Sequence, residues 1–417
     1  MTTRQLVAGI LLLGLWHTAP LAADDEDACD PDAAMPELPE GFCAQLVAEG
    51  MGPIGHMDVT DDGDLYVAIQ NTLDEPGAIA GLRDTDGDGR FDEQVRFGER
   101  GGIGLAVAGD RLFVAEPVRV LSSQLHDRRL GPGDSPQVIA HGFPETDAAR
   151  ALVVHEDSVF VSVATDADAC NGEGDDPPAG AGRCPERQRA AGIWRFERET
   201  AGQSQDDAEQ YATGLRNATA MGWNPREGQL YALGSAPGPF TADADAPRPT
   251  DTRLPRVADE LVRIGPASDF GWPYCYFDID QNRRVDALEP DHQGGSPSGC
   301  ELFNPPEVVF PGAQSPTDML FYGGHQFPER YRQTAFAAFA GSADSPPRVT
   351  ALALDEDGRF TGERQVFAEG FPPGPAARGR AMLSLAQGPK GSLYLGDSRS
   401  ERIWRIQFVG DAEDTED

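Results

Sequence analysis

The chain holds almost no lysine. Of its 34 basic residues one, Lys390, is a lysine and the rest are arginines, set against 69 acidic residues. The formal net charge of −35 argues against nucleic acid, whose phosphates are gripped by rows of Lys and Arg. It argues equally against an anionic membrane surface. Such a surface fits a protein kept in solution at high salt, and equally an acidic exported protein from a GC-rich genome. Long apolar runs are missing too. The longest, Leu6 to Leu15, follows Arg4, ends in small residues at Ala22 and Ala23, and is too short to span a bilayer comfortably. It reads as a secretory signal peptide over residues 1–23, cleaved near Ala23. No cysteine follows directly, so no lipid anchor is expected. The mature chain is expected to be soluble and periplasmic or secreted, with no membrane insertion. CxxC, CxxCH, P-loop and strand–helix GxGxxG patterns are all absent, and no Ser-His-Asp arrangement stands out.

Cysteines are few, and all six lie beyond residue 23. They fall into three sequence-local pairs, Cys29–Cys43, Cys170–Cys184 and Cys275–Cys300, which in an oxidising compartment read as three loop-stapling disulfides. Six cysteines allow about 15 connectivities, and short loops favour this one.

What is present is a repeat. "GHMDVTDDGDLYVAI" begins at Gly55, "GIGLAVAGDRLFVAE" at Gly102, "ARALVVHEDSVFVSVA" at Ala149, "ATAMGWNPREGQLYALGS" at Ala218 and "GRAMLSLAQGPKGSLYLGD" at Gly379. Each has a small or polar start, a short apolar strand, a turn rich in Asp, Asn, Gly or Pro, and a second strand with an aromatic or apolar centre. A sixth copy from Pro316 carries a longer "FPERY" turn. Six hairpins with strands between them predict an all-β fold, a six-bladed β-propeller over residues 37–407. Residues 24–36 form an acidic N-terminal segment and 408–417 an acidic disordered tail. A β-sandwich is the alternative, but it gives no reason for six copies of one motif. In the propeller the strand before each turn lines the channel, and residues just ahead of it sit at one mouth. Arg216, Asn217 and Arg380 hold such positions.

The stretches "ATGLRNATAMGWNP", "DELVRIGPASDFGWPYC" (259–275), "FYGGHQFPERYR" (321–332) and "GRAMLSLAQGPKGSLYLGD" resemble the soluble glucose/sorbosone dehydrogenase family. "LPEGFCAQLVAEGMGPIGHMDV" and "CNGEG…RCPERQRAAGIWRF" match its sorbosone-type branch. The family comprises six-bladed propellers that use pyrroloquinoline quinone (PQQ) and calcium. The resemblance implies an exported oxidoreductase that passes a hydride from a sugar, aldose or related alcohol to the quinone, and electrons then leave to a separate acceptor. It implies that Arg216 and Asn217 contact the cofactor, that Arg380 is the basic residue ahead of the last inner strand, and that Asp259 holds the catalytic calcium. A plainer role for the first pair is an interblade ion pair and a turn cap; for Asp259 it is a turn-stabilising carboxylate.

The chain departs from the family pattern in the presumed pocket. Asp147, in "GFPETDAARALVV", stands where the family has its catalytic histidine, with Arg150 and Leu152 keeping the frame. His155 falls in the following turn and His141 lies too far back. Arg348 is the available basic residue after the fifth blade, where lysine is frequent, and Gln314 stands where the branch often has histidine. A carboxylate beside calcium can act as a proton acceptor, so Asp147 is the candidate base.

Two acidic loops suggest further metal. "DTDGDGRFDE" sets Asp84, Asp86, Asp88 and Asp92 at positions 1, 3, 5 and 9 of a calcium loop, with Gly89 at the turn and Phe91 at the apolar position. Position 12 is Val95, with Glu93 the nearest substitute. "DIDQNRRVDALE" offers Asp278, Asp280, Asn282, Asp286 and Glu289, with Arg283 where glycine is expected. Solvated acidic loops are the plainer reading of both. Two other functions stand beside the dehydrogenase. One is a non-catalytic propeller binding a glycan, a cofactor or a partner, to which the missing histidine points. The other is a calcium-dependent lactone or ester hydrolase.

Overall fold

The computed structural model describes residues 35–410 except 73, 102–103, 128, 146–149, 166–183, 185, 236–257, 287–298, 343–344 and 375–380. Six meandering antiparallel sheets follow one another along the chain. Their innermost strands are Ile54–Val59, Gly104–Ala108, Leu152–His155, Ala218–Asn224, Pro316–Phe321 and Leu383–Gln387, which number blades one to six. Each belongs to one copy of the sequence repeat and turns straight into its blade's second strand. Each inner strand packs against the next, and the sixth returns to the first. The molecule is therefore a six-bladed β-propeller.

The ring is closed by the N-terminal side of the chain. Phe42–Glu49 pairs antiparallel with Arg402–Phe408 as the outer strand of blade six. Two-residue parallel strands lengthen two blades, Gln203–Ser204 on blade two and Ser268–Asp269 on blade three. The long turn in the blade-five repeat folds as a short helix, Glu329–Arg332.

Polar side chains near the starts of the inner strands fasten neighbouring blades. Thr219 Oγ1 donates to Pro316 O at 2.7 Å and Thr317 Oγ1 to Leu383 O at 2.7 Å, while Ser384 Oγ donates to Gly55 O. Carboxylates do the same work in reverse. Asp58 accepts from Val107 N at 2.7 Å and Asp318 from Leu385 N at 2.8 Å. Blades approach closely enough at one joint that a Cβ on Gly104 would lie 2.1 Å from Arg150 O, so only glycine fits there. Apolar clusters fill the wedges between blades, such as Ala220, Leu233, Phe310 and Phe339 between blades four and five.

One predicted staple, Cys275–Cys300, is present. Cys43 and Cys184 are also disulfide-bonded; their predicted partners Cys29 and Cys170, like the predicted signal peptide and residues 411–417 of the predicted tail, lie outside the described residues. Phe408, assigned to that tail, instead ends the strand Arg402–Phe408, because it pairs with Phe42.

Candidate active site

In a meander, the first and third strands of a blade start on the same face. Residues ahead of inner strands and at the heads of third strands therefore share one rim. On blade four the rim carries Arg216 and Asn217, just before Ala218–Asn224, and Asp259 near the head of Ala258–Ile264. The backbone fixes the pair from both sides. Thr165 N donates to Arg216 O at 3.0 Å, and Ser235 N donates to Asn217 O at 3.0 Å. The inner strand changes register between Ala218 and Ala220, an irregularity of the kind that re-aims side chains beside sites. Both side chains line a cleft with Glu260, Trp272, Tyr276 and Arg284. Asn217 Oδ1 is buried and has no hydrogen-bond partner among the described residues. A buried acceptor left unmet costs about 1–3 kcal/mol, so a donor or a cation placed at this atom would be stabilising.

A second group sits farther round the rim, between blades four and five. The fully buried Asp259 accepts from Gln314 N at 2.7 Å. Arg348 Nη2 donates to Gln314 Oε1 at 2.5 Å, and Gln314 Nε2 donates to Pro311 O at 3.0 Å. The structure thus joins three of the residues singled out in the sequence, Asp259, Gln314 and Arg348. The next residue, Ser315, has φ of 59°. That left-handed conformation is costly for a side-chain-bearing residue and gathers at functional sites.

Asp147, Arg380 and Glu289 lie outside the described residues. Arg150, which frames Asp147, is buried, with Nη2 on Pro117 O at 2.6 Å and Pro144 O at 3.1 Å. Burial pushes its guanidinium down to about 10. His155 ends its inner strand on the opposite face, where it stacks on Trp223 at 3.7 Å between ring centroids.

The first acidic loop joins the third and fourth strands of blade one, Ala78–Arg83 and Glu93–Phe97, and so lies on the face opposite the rim. Carboxylate oxygens of Asp84, Asp86 and Asp88 lie within 4.8 Å of one another. Asp92 is not one of this group. It closes the loop instead, accepting from Thr85 N at 2.9 Å and Thr85 Oγ1 at 2.5 Å. The second acidic stretch folds as a hairpin, Cys275–Asp278 with Arg283–Asp286. Asp278 pairs with Arg283 beside the turn, whereas Asp286 pairs with Cys275 at the far end. Asp278 also spends its carboxylate on Asp280 N at 2.9 Å and Gln281 N at 3.0 Å. Strand pairing thus sets Asp278 and Asp286 at opposite ends of the hairpin.

Sequence reasoning missed Glu260 and Arg284. Arg284 Nη2 lies 2.5 Å from Glu260 Oε2, with side chains 4% and 16% exposed. Burial raises the Glu260 carboxyl above its ordinary range, against the pull of Arg284 and of the Phe277 N–H. Alternation along a strand was the available signal: with Asp259 turned toward blade five, Glu260 faces the other way. Also missed was an axial cavity of about 180 Å³, into which Asp58, Asp318 and His56 face among apolar residues of the inner strands.

Fold and rim together define a class: a six-bladed propeller with arginine, amide and buried carboxylate groups clustered at one mouth. The family model for Glucose / Sorbosone dehydrogenase matches residues 143–405, more than half of the chain. The chain belongs to that family and is a sugar-dehydrogenase-like oxidoreductase. No curated protein matches it. Among solved structures it is similar to a Trichoderma reesei protein of carbohydrate-active enzyme family AA12, with 16% identity and TM-score 0.71 over 90% of this chain and 98% of that one. It is also similar to the PQQ domain of pyranose dehydrogenase from Coprinopsis cinerea, with 14% identity and TM-score 0.67 over 90% and 98%. The PQQ-bound aldose sugar dehydrogenase of Streptomyces coelicolor gives 16% and 0.53 over 89% and 99%. At these identities the likeness is one of fold.

Proposed function

We propose that this chain is an exported PQQ- and calcium-dependent dehydrogenase of a sugar, aldose or related alcohol. Family membership supports the reaction class. The observation that carries the cofactor is the Arg216–Asn217 pair, pinned by its backbone at the rim, with one buried side-chain oxygen that meets no donor among the described residues. The residues fit the group. Guanidinium forks suit the carboxylates of PQQ; Arg216 and Arg348 would supply two, and Arg380 a third. Asp259 in the second group and the Asn217 oxygen in the cleft are each a hard oxygen ligand of the kind calcium takes. When bound, PQQ supplies a two-electron hydride acceptor and calcium a Lewis acid at the quinone oxygen.

The chain's own work is then binding, orientation and proton removal. Arg216 and Arg348 hold the anion. Gln314, fastened at both ends, fixes the Arg348 side chain. Asp147 takes the hydroxyl proton of the substrate as its carbon is oxidised. Asp84, Asp86 and Asp88 hold a second, structural calcium on the opposite face.

Titrating purified protein with PQQ and Ca²⁺, then following dye reduction over a panel of sugars, tests this reading. The expectation is PQQ-dependent turnover, and at least a 100-fold weaker PQQ affinity in Arg216→Ala. Tight PQQ absorbance without turnover points to a cofactor-binding propeller. Absence of PQQ binding overturns the proposal, and calcium-dependent lactone cleavage in its place supports the hydrolase.

A further inference from the structure

The outer wall of the cleft is not part of any blade. It is the two-stranded hairpin Cys275–Asp278 and Arg283–Asp286, which brings Tyr276 and Cys275 to the cleft. Its covalent tie among the described residues is Cys275–Cys300. Its principal polar tie is Glu260, reaching out from the third strand of blade four. The Glu260 carboxylate accepts from Phe277 N–H on one strand and from Arg284 on the other. Phe277 and Arg284 are cross-strand partners, so a single carboxylate clasps both strands at one rung. Arg284 Nε also donates to Asn304 O at 2.8 Å, tying the rung to the segment that follows the disulfide.

A buried ion pair is an expensive fastener compared with apolar packing, and removing one partner strands the other's charge. Here the stranded charge would matter to the cleft itself. Glu260 lines it beside Arg216, so an uncapped carboxylate would repel an anionic ligand at the place where Arg216 would attract one.

We propose that Arg284 is a positioning residue of this cleft: by capping Glu260 it holds the hairpin as a wall and keeps the cleft receptive to an anion. The inference rests on the reading above for the identity of that anion, PQQ. It does not rest on it for the wall.

Two measurements on the full chain separate these. One is the rate at which tris(carboxyethyl)phosphine reduces Cys275–Cys300, which reports release of the hairpin. The other is PQQ affinity by tryptophan fluorescence. In Arg284→Met the reduction rate is expected to rise at least 10-fold and PQQ affinity to fall at least 10-fold. Glu260→Gln/Arg284→Met removes the stranded charge and is expected to return both to within about threefold of the parent, which lost packing alone would not do. Arg284→Lys keeps the charge without the fork and falls between, giving a second variant should the methionine form fail to fold. Unchanged reduction in Arg284→Met, or a double variant as impaired as the single one, overturns the inference. A parent that binds no PQQ, with the reduction rates as expected, overturns the cofactor and leaves the wall standing.

Discussion

Asp58 illustrates how one side chain ties the channel to pH. It faces the axial cavity, and its oxygens accept from Val59 N at 2.9 Å and Val107 N at 2.7 Å. Burial outweighs those bonds and raises its carboxyl to about 6, with Asp318 adding to the rise. A carboxyl whose folded value lies above its unfolded one stabilises the fold when protonated. That contribution is complete below pH 4 and is lost as pH climbs through 6. Two pKa units correspond to about 3 kcal/mol at most. Urea unfolding of the parent and of Asp58→Asn at pH 4, 5.5 and 7 reads it out. The parent's stability relative to the variant is expected to fall by about 2–3 kcal/mol across that range, and a constant difference would show that Asp58 titrates as an ordinary carboxyl. None of this was legible in "GHMDV", because the partner N–H lies 49 residues away. Arg216 and Asn217 could be read because they stand out locally, as polar residues at the head of an apolar strand. Glu260 and Arg284 acquire meaning only through each other.

At the scale of elements, two acidic stretches of similar composition part ways. "DTDGDG" keeps its glycines where the chain needs them. Gly89 has φ of 85°, and a Cβ there would lie 2.2 Å from Arg405 Nη2. Asp84 caps the turn through Gly87 N at 2.7 Å and Gly89 N at 2.8 Å, leaving Asp86 and Asp88 exposed at its tip. "DIDQNRRVD" has no glycine, and strand pairing wins. The first loop is therefore expected to bind Ca²⁺. At about 100 times its Kd the ion would add roughly 2.7 kcal/mol of stability. Asp86→Ala is expected to abolish that gain while leaving the calcium-free protein within about 0.5 kcal/mol of the parent, since the one hydrogen bond Asp86 makes in the loop is a long 3.2 Å contact to Asp88 N. Differential scanning fluorimetry with and without EDTA decides it, and a shift that survives in Asp86→Ala places the ion elsewhere. The six hairpins were legible because alternation with period two and turn chemistry are local signals. The two-residue parallel strands were not, because pairs that short carry no pattern.

A propeller is a ring, and a ring needs a joint. Here the joint is a strand from the N-terminal side of the chain laid against the last strand, so the residues that close it lie some 360 positions apart, as in the bond from Arg405 to Gln45. Nothing local in the sequence announces such a pairing; it follows only once six blades must meet. Phe42 is the centre of the joint. Its ring makes edge contacts with Phe327, Tyr331 and Phe367 of blade five and Phe408 of blade six, at centroid distances of 4.8 to 5.1 Å. Truncating a buried aromatic costs about 3–5 kcal/mol, and Phe42, half-buried, belongs at the lower end. Phe42→Ala is therefore expected to lose about 3 kcal/mol in urea unfolding, while Glu49→Ala, at the exposed end of the same strand, loses less than 0.5 kcal/mol. Hydrogen exchange should show the loss concentrated in Phe42–Glu49 and Arg402–Phe408, the weakest joint opening first. If protection falls evenly around the ring, closure is shared among all the interblade latches, and the N-terminal strand is one blade edge among six.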